Sequence, residues 1–117
     1  MRFLFSSKFR MGVDRYFTPE SLRELLFRLS EFPTSGKLMS GYSGVRKLRF
    51  PDRLHQRGQR GGLRIVYRYD SVKDVILLYF AYRKTDQTDI LPHQREYIFQ
   101  TQITDFIEGD LWEIRKN

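Results

Sequence analysis

The chain has 117 residues, a size that supports one domain with a core of its own. Its apolar fraction of 40% and aromatic fraction of 15% argue against disorder, and the lack of cysteine excludes a disulfide framework, thiolate chemistry and a thiolate metal site. The +7 formal charge lies within residues 45–69: eight basic residues stand there against Asp52 alone, while the remaining 13 basic and 13 acidic residues cancel.

A charge excess confined to one segment is a patch, and its natural partner is a polyanion, most commonly nucleic acid. At the N-terminus, Phe3-Leu4-Phe5 is too short for the core of a secretion signal. The longest apolar run, residues 75–82, is far too short to span a membrane. A soluble cytoplasmic protein with a single domain over residues 1–117 and no membrane partner is expected.

Residues 2–5 form a plausible first strand, and residues 8–17, which have no clean period, are a short helix or loop. Thr18 is a good helix N-cap, with Pro19 at the first helical position, where a missing N–H costs nothing. Phe17 and Leu22 occupy the positions of a hydrophobic staple, and Leu22, Leu25, Leu26 and Leu29 make one helical face before Pro33 closes it. Residues 34–44 are rich in Ser and Gly and read as a connection.

Residues 45–50 alternate, with Arg46, Leu48 and Phe50 on one side and Lys47 and Arg49 on the other. A basic, glycine-containing loop with Arg53, Arg57 and Arg60 follows. Leu63, Ile65, Tyr67 and Tyr69 then alternate with Arg64, Val66 and Arg68. The continuous apolar run after that suits a central strand covered on both faces. Asp89 is a candidate N-cap, with Pro92 in the first turn of a last helix carrying Phe99, Ile103, Phe106 and Ile107 and ending at Gly109. The order β-α-α-β-β-β-α predicts an α+β fold: a twisted antiparallel β-meander with helices packed on one face and the cations on the other.

Side chains at i and i+2 on a strand stand about 7 Å apart on one face, so Lys47 and Arg49 are neighbours, with Arg64 expected beside them on the adjacent strand. Lys84 would close the cluster from its rim. Four such cations suit a phosphodiester, and RNA can be cut there without a metal. The ribose 2′-OH attacks phosphorus while a base takes its proton, fixed cations stabilise the phosphate, and a donor protonates the leaving 5′-oxygen. Guanidinium groups suit the phosphate role, being planar, always charged and bidentate. Lysine is a poor base at its ordinary pKa of about 10.4. A second cation about 7 Å away disfavours the ammonium by roughly 2.4 kcal/mol at an effective dielectric of about 20, but by only about 0.6 kcal/mol in water. Lys47 is therefore a credible base only in a site closed off from solvent.

His55 and His93 have no companion at metal-ligand spacing and read as solvated side chains. No cofactor or metal is called for. Arg46 shares the face of Leu48 and Phe50, so an ion pair with a helical carboxylate such as Glu24 is expected. Arg57, Arg60, Arg68 and Arg83 are candidate RNA contacts, and Tyr82 either stacks on a base or belongs to the core.

GYSGVRKLRF, a basic glycine-rich loop, GGLRIVYRY, VILLYFAYRK and DILPHQ follow one another in an order that resembles the RelE/HigB branch of the RelE/ParE toxin superfamily. The resemblance runs from about residue 36 to residue 107. It implies a RelE-like fold and the toxin of a type II toxin–antitoxin pair, an mRNA endoribonuclease (mRNA interferase) that inhibits translation at the ribosomal A site. Its partners would be a cognate antitoxin, mRNA and the ribosome, which would supply the closure that Lys47 requires. By position, Lys47 and Arg49 match the family's paired strand cations, Arg64 its phosphate-stabilising arginine, and Lys84 an arginine that helps with charge or leaving-group protonation. RelE-like members carry a tyrosine near the start of the last helix where this chain has Ile90-Leu91, so Arg83, Lys84 or His93 would have to donate the proton. The rivals are a ParE-like DNA gyrase poison and a non-catalytic basic nucleic-acid-binding module.

Overall fold

A computed structural model describes residues 1–55 and 62–109; the basic-loop residues Arg57 and Arg60 lie outside the described residues. The chain forms a small α+β fold, with three α-helices around a six-stranded sheet. Strand β1 (Arg2–Phe5) leads into α1 (Ser7–Tyr16) and α2 (Pro19–Glu31). The strands β2 (Lys37–Leu38), β3 (Val45–Phe50), β4 (Leu63–Asp70) and β5 (Val75–Arg83) follow. Helix α3 (Pro92–Gln100), a 3₁₀ turn (Ile103–Asp105) and β6 (Ile107–Glu108) complete the order.

Local chemistry accounts for the helix starts. Ser6 accepts a hydrogen bond from the Phe9 amide and caps α1. Thr18 accepts from the Ser21 amide, and the Ser21 hydroxyl accepts in return from the Thr18 amide, a reciprocal cap on α2. The leucine stripe of α2 is buried, together with Phe17. It packs with Phe3, Phe5 and Phe9 against Leu48, Phe50, Leu63, Ile65, Tyr67, Ile76 and Leu78 of the sheet. Tyr67 also anchors the connection after α2, donating to the Pro33 carbonyl (2.8 Å) and accepting from the Gly36 amide (2.9 Å). Gly41 and Gly44 turn that connection with φ of 81° and 90°, a region that favours glycine.

The meander of β3, β4 and β5 is antiparallel as expected, but the whole sheet is mixed. Its order is β2-β3-β4-β5-β1-β6, and β1 lies parallel to β5. β1 and β5 are not neighbours in sequence: the chain leaves β1 through α1 and α2 and runs through β2, β3 and β4 before β5 docks beside it, so no hairpin imposes an antiparallel pairing.

The helices also do not share one face. Helix α3 lies on the opposite side from α1 and α2, where Ile98 and Phe106 bury Leu4, Val45, Val66, Leu77, Tyr79, Phe80 and Tyr82. The cations thus emerge from a face that is itself partly covered. Both layers explain why β5 is apolar at nearly every position. The last helix is also shorter than its pattern suggests. It stops at Gln100, and Ile107 turns out to pair in β6 with Phe5.

The register of β4 on β5 shifts between Val66 and Tyr67: Val66 faces Phe80, whereas Tyr67 faces Leu78. Tyr79 is thus the extra residue of a β-bulge, and beyond it the faces of β5 exchange. Ser6 holds the bulge as well as the helix, since its hydroxyl donates to the Tyr79 carbonyl and its amide to the Leu78 carbonyl (3.0 Å). Ser6→Ala is expected to lower stability by about 1–3 kcal/mol, because it removes a cap and leaves a buried carbonyl without its donor. Chemical denaturation of the variant checks this.

Candidate functional site

Strand alternation carries Lys47, Arg49, Arg64 and Arg68 onto the α3 side of the sheet, opposite the leucine helix. The register makes the arrangement specific. Arg49 stands directly across from Arg64, and Arg64 directly across from Tyr82. Directly opposed residues have Cβ atoms about 4.5–5.5 Å apart. Lys47 occupies the next row, opposite Val66. The three cations expected together are therefore on one surface, with no leucine or phenylalanine between Arg49 and Arg64.

Their exposure differs. Arg49 is exposed, whereas Arg64 is only 8% exposed and donates to the Leu63 carbonyl at 3.2 Å. The sequence pattern suggested a solvent-facing Arg64, but its face is partly covered and its side chain is buried. Burial holds the Arg64 guanidinium below its ordinary pKa, and the Arg49 charge pushes the same way. Two arginines in direct cross-strand opposition are an electrostatic cost to the fold. Arg68 pairs with Val45 and Leu77 at the other end of the face, four residues along β4 and about 13 Å from Arg64.

Lys47 has a partner that the sequence did not suggest. Its Nζ lies 3.2 Å from Asp89 Oδ1 in an ion pair that joins β3 to the loop before α3. Asp89 was expected to cap that helix, but Leu91 occupies the cap and its amide donates to the Gln94 side chain (2.9 Å). Gln87 and Gln94 exchange amide hydrogen bonds, and Gln87 Nε2 also donates to the Asp89 carbonyl (3.0 Å). Ile90 packs into the α3-side core, which fixes Asp89 over the cations. Hydrogen bonds from the Ile90 amide and from Lys47 hold the Asp89 carboxyl below its ordinary range. An ammonium has no lone pair to offer, so Lys47 can act as a base only after it has left the pair and given up a proton.

Tyr82 belongs to the core, with 2% exposure, and does not present its ring for stacking on a base. Its hydroxyl is buried and makes no hydrogen bond among the described residues. Burial, reinforced by Asp89 and opposed by Arg64, pushes its pKa up to about 12.

Arg83 does not join the other cations. The Tyr79 bulge sends it to the other face, where Nε meets Asp52 at 2.9 Å, Nη2 donates to the Arg15 carbonyl at 2.5 Å, and the guanidinium lies 4.9 Å from the Tyr16 ring centre. Asp52 is buried and also meets His55 Nδ1 at 3.1 Å, so His55 is tied to the end of β3 and is not a free loop side chain. Arg46 donates to the Thr34 and Gly36 carbonyls instead of pairing with Glu24, which Arg53 takes. Lys84 is exposed in the turn after β5, its amide bonded to the Gly62 carbonyl (2.9 Å), and His93 is exposed on α3.

No protein-family model matches the chain. Among the described residues, no helix is long and apolar enough to cross a membrane.

The two carboxylates give a pH dependence. Burial raises the pKa of Asp52, but hydrogen bonds from Arg83 and His55 outweigh it, so both Asp52 and Asp89 sit below the ordinary 3.8 in the fold. Just below that value the unfolded chain binds more protons, so their contribution is complete well above it and is lost as pH falls through the folded values. Asp52→Asn is expected to lower the denaturation midpoint at about pH 7 and to flatten the loss between about pH 5 and about pH 2. Denaturant titrations across that range test it.

Proposed function

We propose that this chain is a metal-independent endoribonuclease and the toxin of a type II toxin–antitoxin pair, cutting mRNA on the ribosome and so inhibiting translation. The observation that carries the reading is the direct opposition of Arg49 and Arg64, with Lys47 on the same face. Like charges at that spacing repel, and a bound phosphodiester would turn the cost into a gain. The resemblance of the strand and loop motifs to RelE/HigB toxins supports the same chemistry.

In this reading Arg49 and Arg64 stabilise the phosphoryl oxygens as charge builds on them. The 2′-oxygen forms its bond to phosphorus as the bond to the 5′-oxygen breaks. Displaced from Asp89 by the arriving RNA, Lys47 gives its proton to solvent before the ribosomal site closes; the neutral amine then accepts the 2′-OH proton, and exposed Lys84 protonates the leaving oxygen. The antitoxin is expected to place an acidic or amphipathic segment over the basic face.

Induced in cells without its antitoxin, the protein should arrest growth with mRNA cut inside codons. Lys47→Ala and Arg49→Ala should each slow cleavage by roughly 10²–10³-fold and leave the circular dichroism unchanged. Arg64→Ala is a less clean variant because its side chain is buried. DNA breaks with intact mRNA would instead mark a gyrase poison, and harmless expression would mark a binding module. RNA affinity should fall with salt at a slope near 0.7 per phosphate neutralised; a flat curve would remove the electrostatic basis of the proposal.

A further inference from the structure

The Tyr82 hydroxyl is a feature that the cation cluster alone does not explain. It is buried and makes no hydrogen bond among the described residues, and buried polar groups are nearly always paired. It stands across from Arg64 in the row that begins with Arg49, and its charged neighbours are Arg64 and Asp89. A group that only filled core volume here would be served by phenylalanine. Tyrosine adds one directed donor at the end of a row of two guanidinium groups.

We infer that the Tyr82 hydroxyl is a phosphate-binding group, donating a hydrogen bond to a non-bridging oxygen of the phosphodiester that Arg49 and Arg64 hold. The inference rests on the ribonuclease reading and deepens it by adding a neutral donor to the cations. Because its pKa is raised, the phenol keeps its proton at every working pH and acts as a donor, never as a base. No bond to Tyr82 forms or breaks.

The closed site also says how the phosphate reaches it. Asp89 is an anion already lodged among these groups, bound to Lys47 and close to Tyr82. The Asp89 side chain is 76% exposed and that of Lys47 is 26% exposed, and such pairs are weakly held. The phosphodiester displaces the carboxylate as it enters, and the hydroxyl then gains its acceptor.

A 2′-O-methyl oligoribonucleotide, which cannot be cut, separates binding from cleavage. Tyr82→Phe is expected to bind it at least about tenfold more weakly, the usual loss for a hydrogen bond to a charged group. The same variant should melt no lower than the parent, since it removes a hydroxyl that makes no hydrogen bond among the described residues. Asp89→Asn should bind the oligonucleotide more tightly. Unchanged affinity in Tyr82→Phe would overturn the inference, as would a clear drop in its melting temperature, which would mean that the hydroxyl serves the fold. Weaker binding by Asp89→Asn would overturn the displacement step. If Arg49→Ala weakens binding and Tyr82→Phe does not, the cation site stands and only the tyrosine role fails. If neither variant matters, the ribonuclease reading fails with it.

Discussion

One extra residue in a central strand decides what the candidate site contains. The bulge at Tyr79 exchanges the two faces of β5, so Phe80 and Tyr82 join the α3 side while Ala81 and Arg83 join the α1 and α2 side. An unbroken ladder would have sent Arg83 toward the cations and Tyr82 into the leucine core. The site would then have gained a third guanidinium and lost its buried hydroxyl, and Asp52 would have lost its principal partner. Ser6 fixes the irregularity from outside the strand, through bonds to the Leu78 and Tyr79 carbonyls, and starts α1 with the same side chain. The start of the first helix and the contents of the cation face are therefore coupled.

On that frame the two layers do different work. The α1 and α2 layer is a packed aromatic and leucine core, sealed at one end by the Asp52, Arg83 and His55 cluster. The α3 layer is smaller and holds the charged groups at its margin. Tyr82 is packed into this layer with Arg64 across from it, and burial changes the chemistry of both. A guanidinium at an open surface repels a neighbouring arginine weakly, whereas a partly desolvated one feels it more and gains more from an anion. The same enclosure keeps the tyrosine protonated. The Lys47–Asp89 pair is the exposed part of the assembly and the part best suited to give way.

The proposed chemistry asks each group for what its surroundings allow. Arg49 and Arg64 are always charged and need no proton transfer. Tyr82 can donate only. Lys47 must lose a proton before it can take one, and in the free protein it is engaged with Asp89. A nuclease built this way would be quiet until RNA, held by a larger assembly, displaced the carboxylate and shut out water. A requirement for the ribosome would thus follow from the wiring of one lysine.

Much of this was legible in the residues alone. The Thr18-Pro19 start and the leucine stripe specified α2, and strict alternation placed Lys47, Arg49 and Arg64 on one face, because both signals are local and periodic. Other features had no local signature. The bulge, the side taken by α3, the parallel docking of β1 and the Lys47–Asp89 pair all depend on contacts between segments distant along the chain. Arg83 and Tyr82 show the cost of that blindness: one looked like a surface cation and the other an optional stacking ring, until a single inserted residue reversed their sides. Sequence determined which residues alternate; only the tertiary structure decided where the alternation breaks, because a bulge is set by what the strand must pair with and pack against on both faces.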